Sequence, residues 1–184
     1  MGRQGEHWPF TLSTSQRRKP MQPPDWPSEH AISIGRVALA WNQASYAVYL
    51  IFASAVGLEV KAAWAAFWAL KSDAGQRDVT LALVQSRLGD TNPLATSLKS
   101  SARKLAAISV ERNLVVHTPW GITFLDTEGD DPRKWSNPAP LPLVRHPRLQ
   151  ADFAAQCSDI EVRLDELTAE LFALAPKISA ALKD

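Results

Sequence analysis

Arg112 stands inside a run of hydrophobic positions. Seven and four residues before it lie Leu105 and Ile108, and three and four residues after it lie Val115 and Val116. On a helix these positions share one face, so the guanidinium is expected on the apolar stripe rather than the solvated one. An unpaired buried guanidinium is costly, so Arg112 needs a partner, an open cleft or an escape to the surface. Positions where local consistency fails are where function is expected. Asn113 and His117, four residues apart, share a neighbouring face, while Arg112 and His117 flank one sector about 140° wide. Pro119 should end this helix, because the residue before a proline is pushed out of the α region. His117 then falls in the last turn, at the carbonyl end, where a cation is favoured. Imidazole titrates near neutrality, which suits a proton donor or a phosphate ligand. A cation to stabilise developing charge and an imidazole to move a proton are the parts that phosphodiester chemistry needs. The plainer alternative pairs Arg112 with an internal acid, Glu59, Asp73 or Asp78, and leaves His117 as a helix cap.

The segment Arg112-Asn113-Leu-Val-Val-His117 resembles the R-x4-6-H signature of the HEPN superfamily, in its form with asparagine after the arginine. That resemblance implies a small α-helical bundle that dimerises so that two copies of the motif line one cleft. It also implies a metal-independent endoribonuclease, of the kind found among toxins and defence effectors. Arg112 would hold the scissile phosphate, His117 would act in proton transfer, and Asn113 would orient the pair. The RNA 2′-hydroxyl would attack and leave a cyclic phosphate, with no cofactor. Partners implied are RNA, a second copy of the chain, and an antitoxin or other protein. Trp41, Arg77 and Trp120 match a wider layout of first-helix tryptophan, mid-chain arginine and tryptophan after the motif. Two positions depart from the pattern: Ser45 stands where an acid often follows the tryptophan, and Pro119 stands where one subgroup has tyrosine.

The elements that position these residues follow from periodicity and punctuation. Residues 1–27 hold five prolines and the basic run Arg17-Arg18-Lys19, and read as a flexible arm. Residues 28–184 read as a single HEPN-like domain. Ser28 can cap a first helix whose stripe is Ile34, Val37, Trp41, Ala44, Val48, Ile51 and Ala55, ending at Gly57. A second helix is expected over Glu59–Leu70, with Trp64, Phe67 and Trp68 on one stripe and the tryptophans in the core. A third should run from Asp73 to about Leu88, with Val79, Leu83 and Leu88 as core candidates and Gly89 as the stop. Asn92 and Pro93 open the fourth, which carries the motif. Residues 120–126 alternate as a short strand, and 132–147 read as a proline-rich loop. A last helix is expected from about Arg148 to Leu174, broken by Pro176 before a short terminal turn. The fold class is therefore all-α: a bundle of four to five helices with a small β-hairpin-like element after the fourth.

Composition narrows the functions. A formal net charge of +1 gives no global pull toward nucleic acid or acidic membranes, so a polyanion site must be a local patch. Lys99, Arg103, Lys104, Arg133, Lys134, Arg145 and Arg148 are candidates for phosphate contacts. The one cysteine, Cys157, excludes an internal disulfide and a thiolate zinc site. His7, His30 and His146 show no metal-ligand spacing. The acidic turn Asp126, Glu128, Asp130 and Asp131 lacks the calcium-loop pattern. There is no apolar signal segment at the N-terminus. Residues 37–58 carry no charge, but Asn42, Gln43, Ser45 and Ser54 interrupt them, which favours a central bundle helix over a membrane span. The expectation is a cytoplasmic, RNA-directed protein. The alternatives are a non-catalytic helical protein–protein interaction module and a membrane-associated helical protein. Exposed apolar surface on the first helix would serve a homodimer.

Overall fold

The computed structural model describes residues 28–126, 136–142 and 148–183. The arm over 1–27, His7, His146, the acidic positions Glu128, Asp130 and Asp131, and the basic positions Arg133, Lys134 and Arg145 lie outside the described residues. The elements are α1 (Ser28–Val56), α2 (Val60–Ala69), α3 (Asp73–Leu88), α4 (Pro93–His117), β1 (Trp120–Asp126), β2 (Ser136–Pro142) and α5 (Phe153–Ala181).

Local chemistry sets most of the boundaries. Gly57, at φ 69°, follows α1 in a conformation that costs a side-chain-bearing residue far more. Ser72 caps α3, its hydroxyl oxygen accepting from the Gly75 N–H at 3.1 Å, and Gly89 at φ 91° ends it. Asn92 caps α4 by accepting from the Leu94 N–H at 2.9 Å, with Pro93 in the first turn, where its missing donor costs nothing. Asp152 caps α5 through the Ala155 N–H at 2.9 Å.

The core is one cluster, with α1 at its centre. α1 packs along α5, α3 packs on α1 and α4, α4 on α5, and α2 on α1. Val37, Trp41, Ala44, Val48, Ile51 and Ala55 are all buried, as the stripe predicts, and join Ile160, Leu164, Leu171 and Ile178 of α5 in one core. Each large side chain buried this way contributes about 1.5–3 kcal/mol. The result is an all-α helical bundle. Among the described residues, no helix is long and apolar enough to cross a membrane.

Four details differ from the sequence expectation. α5 starts at Phe153 rather than near Arg148, and it runs through Pro176 to Ala181. A proline in a helix loses one hydrogen bond and crowds the preceding turn, but Ile178, fully buried beyond it, anchors the continued helix to the core. Within the expected proline-rich loop, Ser136–Pro142 forms strand β2, antiparallel to β1 with Ile122 opposite Pro140. Prolines 138, 140 and 142 alternate, so their missing donors share one edge, and Asn137, Ala139 and Leu141 supply the N–H groups on the other. On α2, Phe67 is buried but Trp64 and Trp68 are 48 % and 42 % exposed, not core, because only the Ala63 and Phe67 face of this short helix is buried. On α3 the buried face is Gln76, Arg77, Thr80 and Val84, while Val79 is exposed and Leu83 and Leu88 are only partly covered.

His30 ties three elements together. Its ring stacks on Phe153 at 4.1 Å and meets the Trp120 edge at 4.3 Å, joining the starts of α1, α5 and β1. It is buried, and its Nε2 has no hydrogen-bond partner among the described residues. Burial holds the imidazole below its ordinary value of 6.5, so the folded chain binds this proton less readily than the unfolded chain. The stability that follows is complete above pH 6.5 and is lost as the pH falls through that value toward the folded-state one. Replacing His30 by Phe, which keeps the stacking, should remove this step from the pH dependence of urea unfolding. Parallel pH profiles for wild type and His30→Phe would show that His30 contributes nothing to acid sensitivity.

Candidate functional site

The last turns of α4 carry Arg112, Asn113 and His117 because Asn92 starts the helix and Pro119 prevents its continuing. Thr118, the C-cap residue, is already extended, with its N–H bonded to the Leu114 carbonyl. α3 delivers its first turn to the same place. The space between is a cleft of about 340 Å³, lined from α4 by Ser109, Arg112, Asn113 and His117 and from the α3 side by Lys71, Ser72, Asp73, Ala74 and Arg77.

Arg112 is the centre of this arrangement. Its side chain keeps only 16 % of its surface exposed. The guanidinium carbon lies 4.8 Å from the centre of the Trp41 ring, a cation–π contact on a residue that is itself buried. Nη1 donates to Asn113 Oδ1 at 2.7 Å and lies 3.5 Å from His117 Nε2. A guanidinium has no acceptor, so a hydrogen bond in that contact needs Nε2 as its acceptor. The only acid within ion-pair range among the described residues is Asp73, 3.9 Å away and itself 39 % exposed. Of the acids expected from sequence, Glu59 and Asp78 are therefore not the partners, and the cleft is not sealed by a tight salt bridge. Nε of Arg112 finds no hydrogen-bond partner among the described residues. Burial pulls the guanidinium below its ordinary range, and the Asp73 charge partly opposes this.

Arg112, Asn113 and His117, expected together from the sequence, all line one cleft. Arg77, which the sequence offers only as part of a wider layout, lines it as well. Arg77 is 8 % exposed, and its Nη1 has no partner among the described residues. Burial again lowers its affinity for the proton, opposed by Asp73 and then Asp78. Its neighbours Gln76 and Thr80 are satisfied locally, Gln76 Nε2 donating to the Phe67 carbonyl at 3.4 Å and Thr80 to the Gln76 carbonyl at 2.6 Å. The signal that marks this face is the spacing Gln76, Arg77, Thr80, Val84. It is mostly polar, so a search for apolar periodicity passes over it.

Other basic candidates lie elsewhere. Lys104 pairs with Glu170 of α5 at 2.8 Å, and Lys99 and Arg103 do not line the cleft. Arg148 borders a separate hollow with Glu111 and Gln156. Cys157 is buried, and burial, aided by Glu161, pushes its thiol up to about 11, which disqualifies it as a nucleophile near neutrality. Among the described residues, no three His, Cys, Asp or Glu side chains converge where a metal could sit.

Two arginines that leave nitrogens unsatisfied contribute little to folding for the charge they bury. Arg77→Met and Arg112→Met, each near in length and apolar, are expected to unfold in urea within about 1 kcal/mol of wild type, or later. A loss of about 3 kcal/mol or more would mean that the guanidinium is held as a structural ion pair. In comparison with known proteins, the chain matches no family model, no curated protein and no solved structure, so a functional reading stands on the geometry of the cleft.

Proposed function

We propose that the cleft between α3 and α4 binds RNA and cleaves it without a metal, in the manner of a HEPN endoribonuclease. The observation that carries the reading is the meeting of Arg112 with Asn113 and His117 at 2.7 Å and 3.5 Å on the wall of an open cleft. The Arg112 guanidinium would bind the non-bridging oxygens of the scissile phosphate and stabilise the charge that grows there. Its fork is already oriented by Asn113 and by the Trp41 face, so little ordering is left for the transition state. His117 would move the proton, taking it from the 2′-hydroxyl or giving it to the departing 5′-oxygen. Attack of the 2′-oxygen on phosphorus and loss of the 5′-oxygen leave a 2′,3′-cyclic phosphate and a 5′-hydroxyl.

A second copy of the chain belongs to the same reading. Ile32, Leu39 and Tyr46 recur at seven-residue spacing on α1 and are 53 %, 64 % and 44 % exposed, an apolar stripe suited to a homodimer. Sedimentation should give a two-chain mass that Leu39→Asp converts to one. A wild-type protein of one-chain mass at all concentrations would sink the dimer.

The decisive assay for catalysis uses purified protein and a mixed RNA pool in EDTA. Wild type should yield cyclic-phosphate ends, and Arg112→Ala and His117→Ala should each lower the rate at least about a hundredfold. No cleavage, or equal cleavage by all three, would leave the cleft as the groove of a non-catalytic interaction module.

A further inference from the structure

The wall of the cleft facing Arg112 is the N-terminus of α3, a 16-residue helix. Ser72 uses its hydroxyl oxygen for the Gly75 N–H at 3.1 Å and its carbonyl for the Gln76 N–H at 3.0 Å. The first two helical N–H groups, of Asp73 and Ala74, are left without an acceptor among the described residues. Open donors at the positive end of a helix are suited to an anion. The Asp73 carboxylate does not fill that place, because it leans toward Arg112, 3.9 Å from Nη1.

An independent observation points to a ligand here. Arg77, one turn into the same helix, lines the cleft, is 92 % buried and has an Nη1 with no partner among the described residues. A cation withdrawn from water without full compensation sets up a field that a bound anion relieves. Charge counting agrees. Lys71, Arg77 and Arg112 bring three positive charges to the lining, and Asp73 brings one negative charge. One phosphodiester at Arg112 would still leave an excess positive charge on the α3 side. The volume, about 340 Å³, suits a nucleotide-sized occupant rather than a lone phosphate.

We infer that the cleft holds a second phosphate subsite, built from the Asp73 and Ala74 backbone N–H groups with Lys71 beside them and Arg77 behind. It takes the phosphate next to the one bound by Arg112. The inference rests on the RNA reading of the cleft and defines the substrate as a chain with at least two consecutive phosphates, not a single nucleotide or an isolated diester.

The test uses 2′-O-methyl dinucleotides, which cannot be cleaved by 2′-hydroxyl attack. One carries only its internal diester, and two others carry an added phosphate at the 5′ or the 3′ end. Each is titrated calorimetrically into wild type, Lys71→Ala and Arg77→Met. The readout is the ratio of affinities with and without the added phosphate inside each protein, so a general loss of binding or folding cancels. In wild type one of the two added phosphates should tighten binding about tenfold, and that ratio should fall to about threefold or less in both variants. Binding of the diester with no gain from either phosphate would overturn the subsite and leave the RNA reading in place. A gain retained in both variants would also overturn it, since the phosphate would then be held elsewhere. Failure of wild type to bind any of the three would overturn both.

Discussion

A guanidinium lifted out of water has to be met by something, and much of this molecule is arranged around how Arg112 is met. Leu105, Ile108 and Val115 pull its face of α4 into the bundle. Trp41 answers it with a ring face at 4.8 Å, and Asn113 with one hydrogen bond. Trp41 is 2 % exposed and belongs to the same cluster as Val37, Val48 and Ile51, so the hydrophobic face that closes the bundle is also the floor beneath the cation. Core and cleft are therefore one construction. The position of Arg112 is thereby tied to the packing of α1.

The other arginines show that this is a choice of environment. Arg87, in the last turn of α3, donates to the Ala55 carbonyl and to the Leu182 carbonyl, both at 3.1 Å, and so caps the ends of α1 and α5 together. Arg163 holds Glu111 across the α4–α5 seam with both terminal nitrogens. These cations act on structure, and their donors find acceptors. Arg77 and Arg112 each leave a nitrogen unpartnered. Both line the cleft, and α3 carries a structural arginine at one end and an uncompensated one at the other. A helix end is the natural place for such a site, because backbone donors there are open without breaking any ladder.

Much of the architecture was legible in the chain. Stripes at three- and four-residue spacing marked α1, α4 and α5, and Asn92, Gly57 and Gly89 marked helix limits. Arg112, Asn113 and His117 stood out because a charged residue broke an apolar stripe next to two groups able to work with it. What failed to read was polar or marginal. The buried face of α3 is Gln76, Arg77 and Thr80, and burial of such groups depends on partners from other elements that no periodicity reveals. The two tryptophans of α2 look like core in sequence, and stay half exposed because no described element covers that side. Pro176 reads as a stop, and is carried through because Leu171, Leu174, Ala175 and Ile178 are buried together on either side of it.

The sequence by itself determined that there are five helices, several of their limits and the fact that one arginine could not be an ordinary surface residue. These are local properties, set by side-chain period and by backbone groups within a few residues of each other. Only the tertiary structure decided which acid stands near Arg112, that the first turn of α3 faces the last turns of α4, and that Arg77 joins the same cleft. Such pairings span tens of residues and depend on how α1 brings α3 and α4 together, a packing outcome that helical periodicity does not encode.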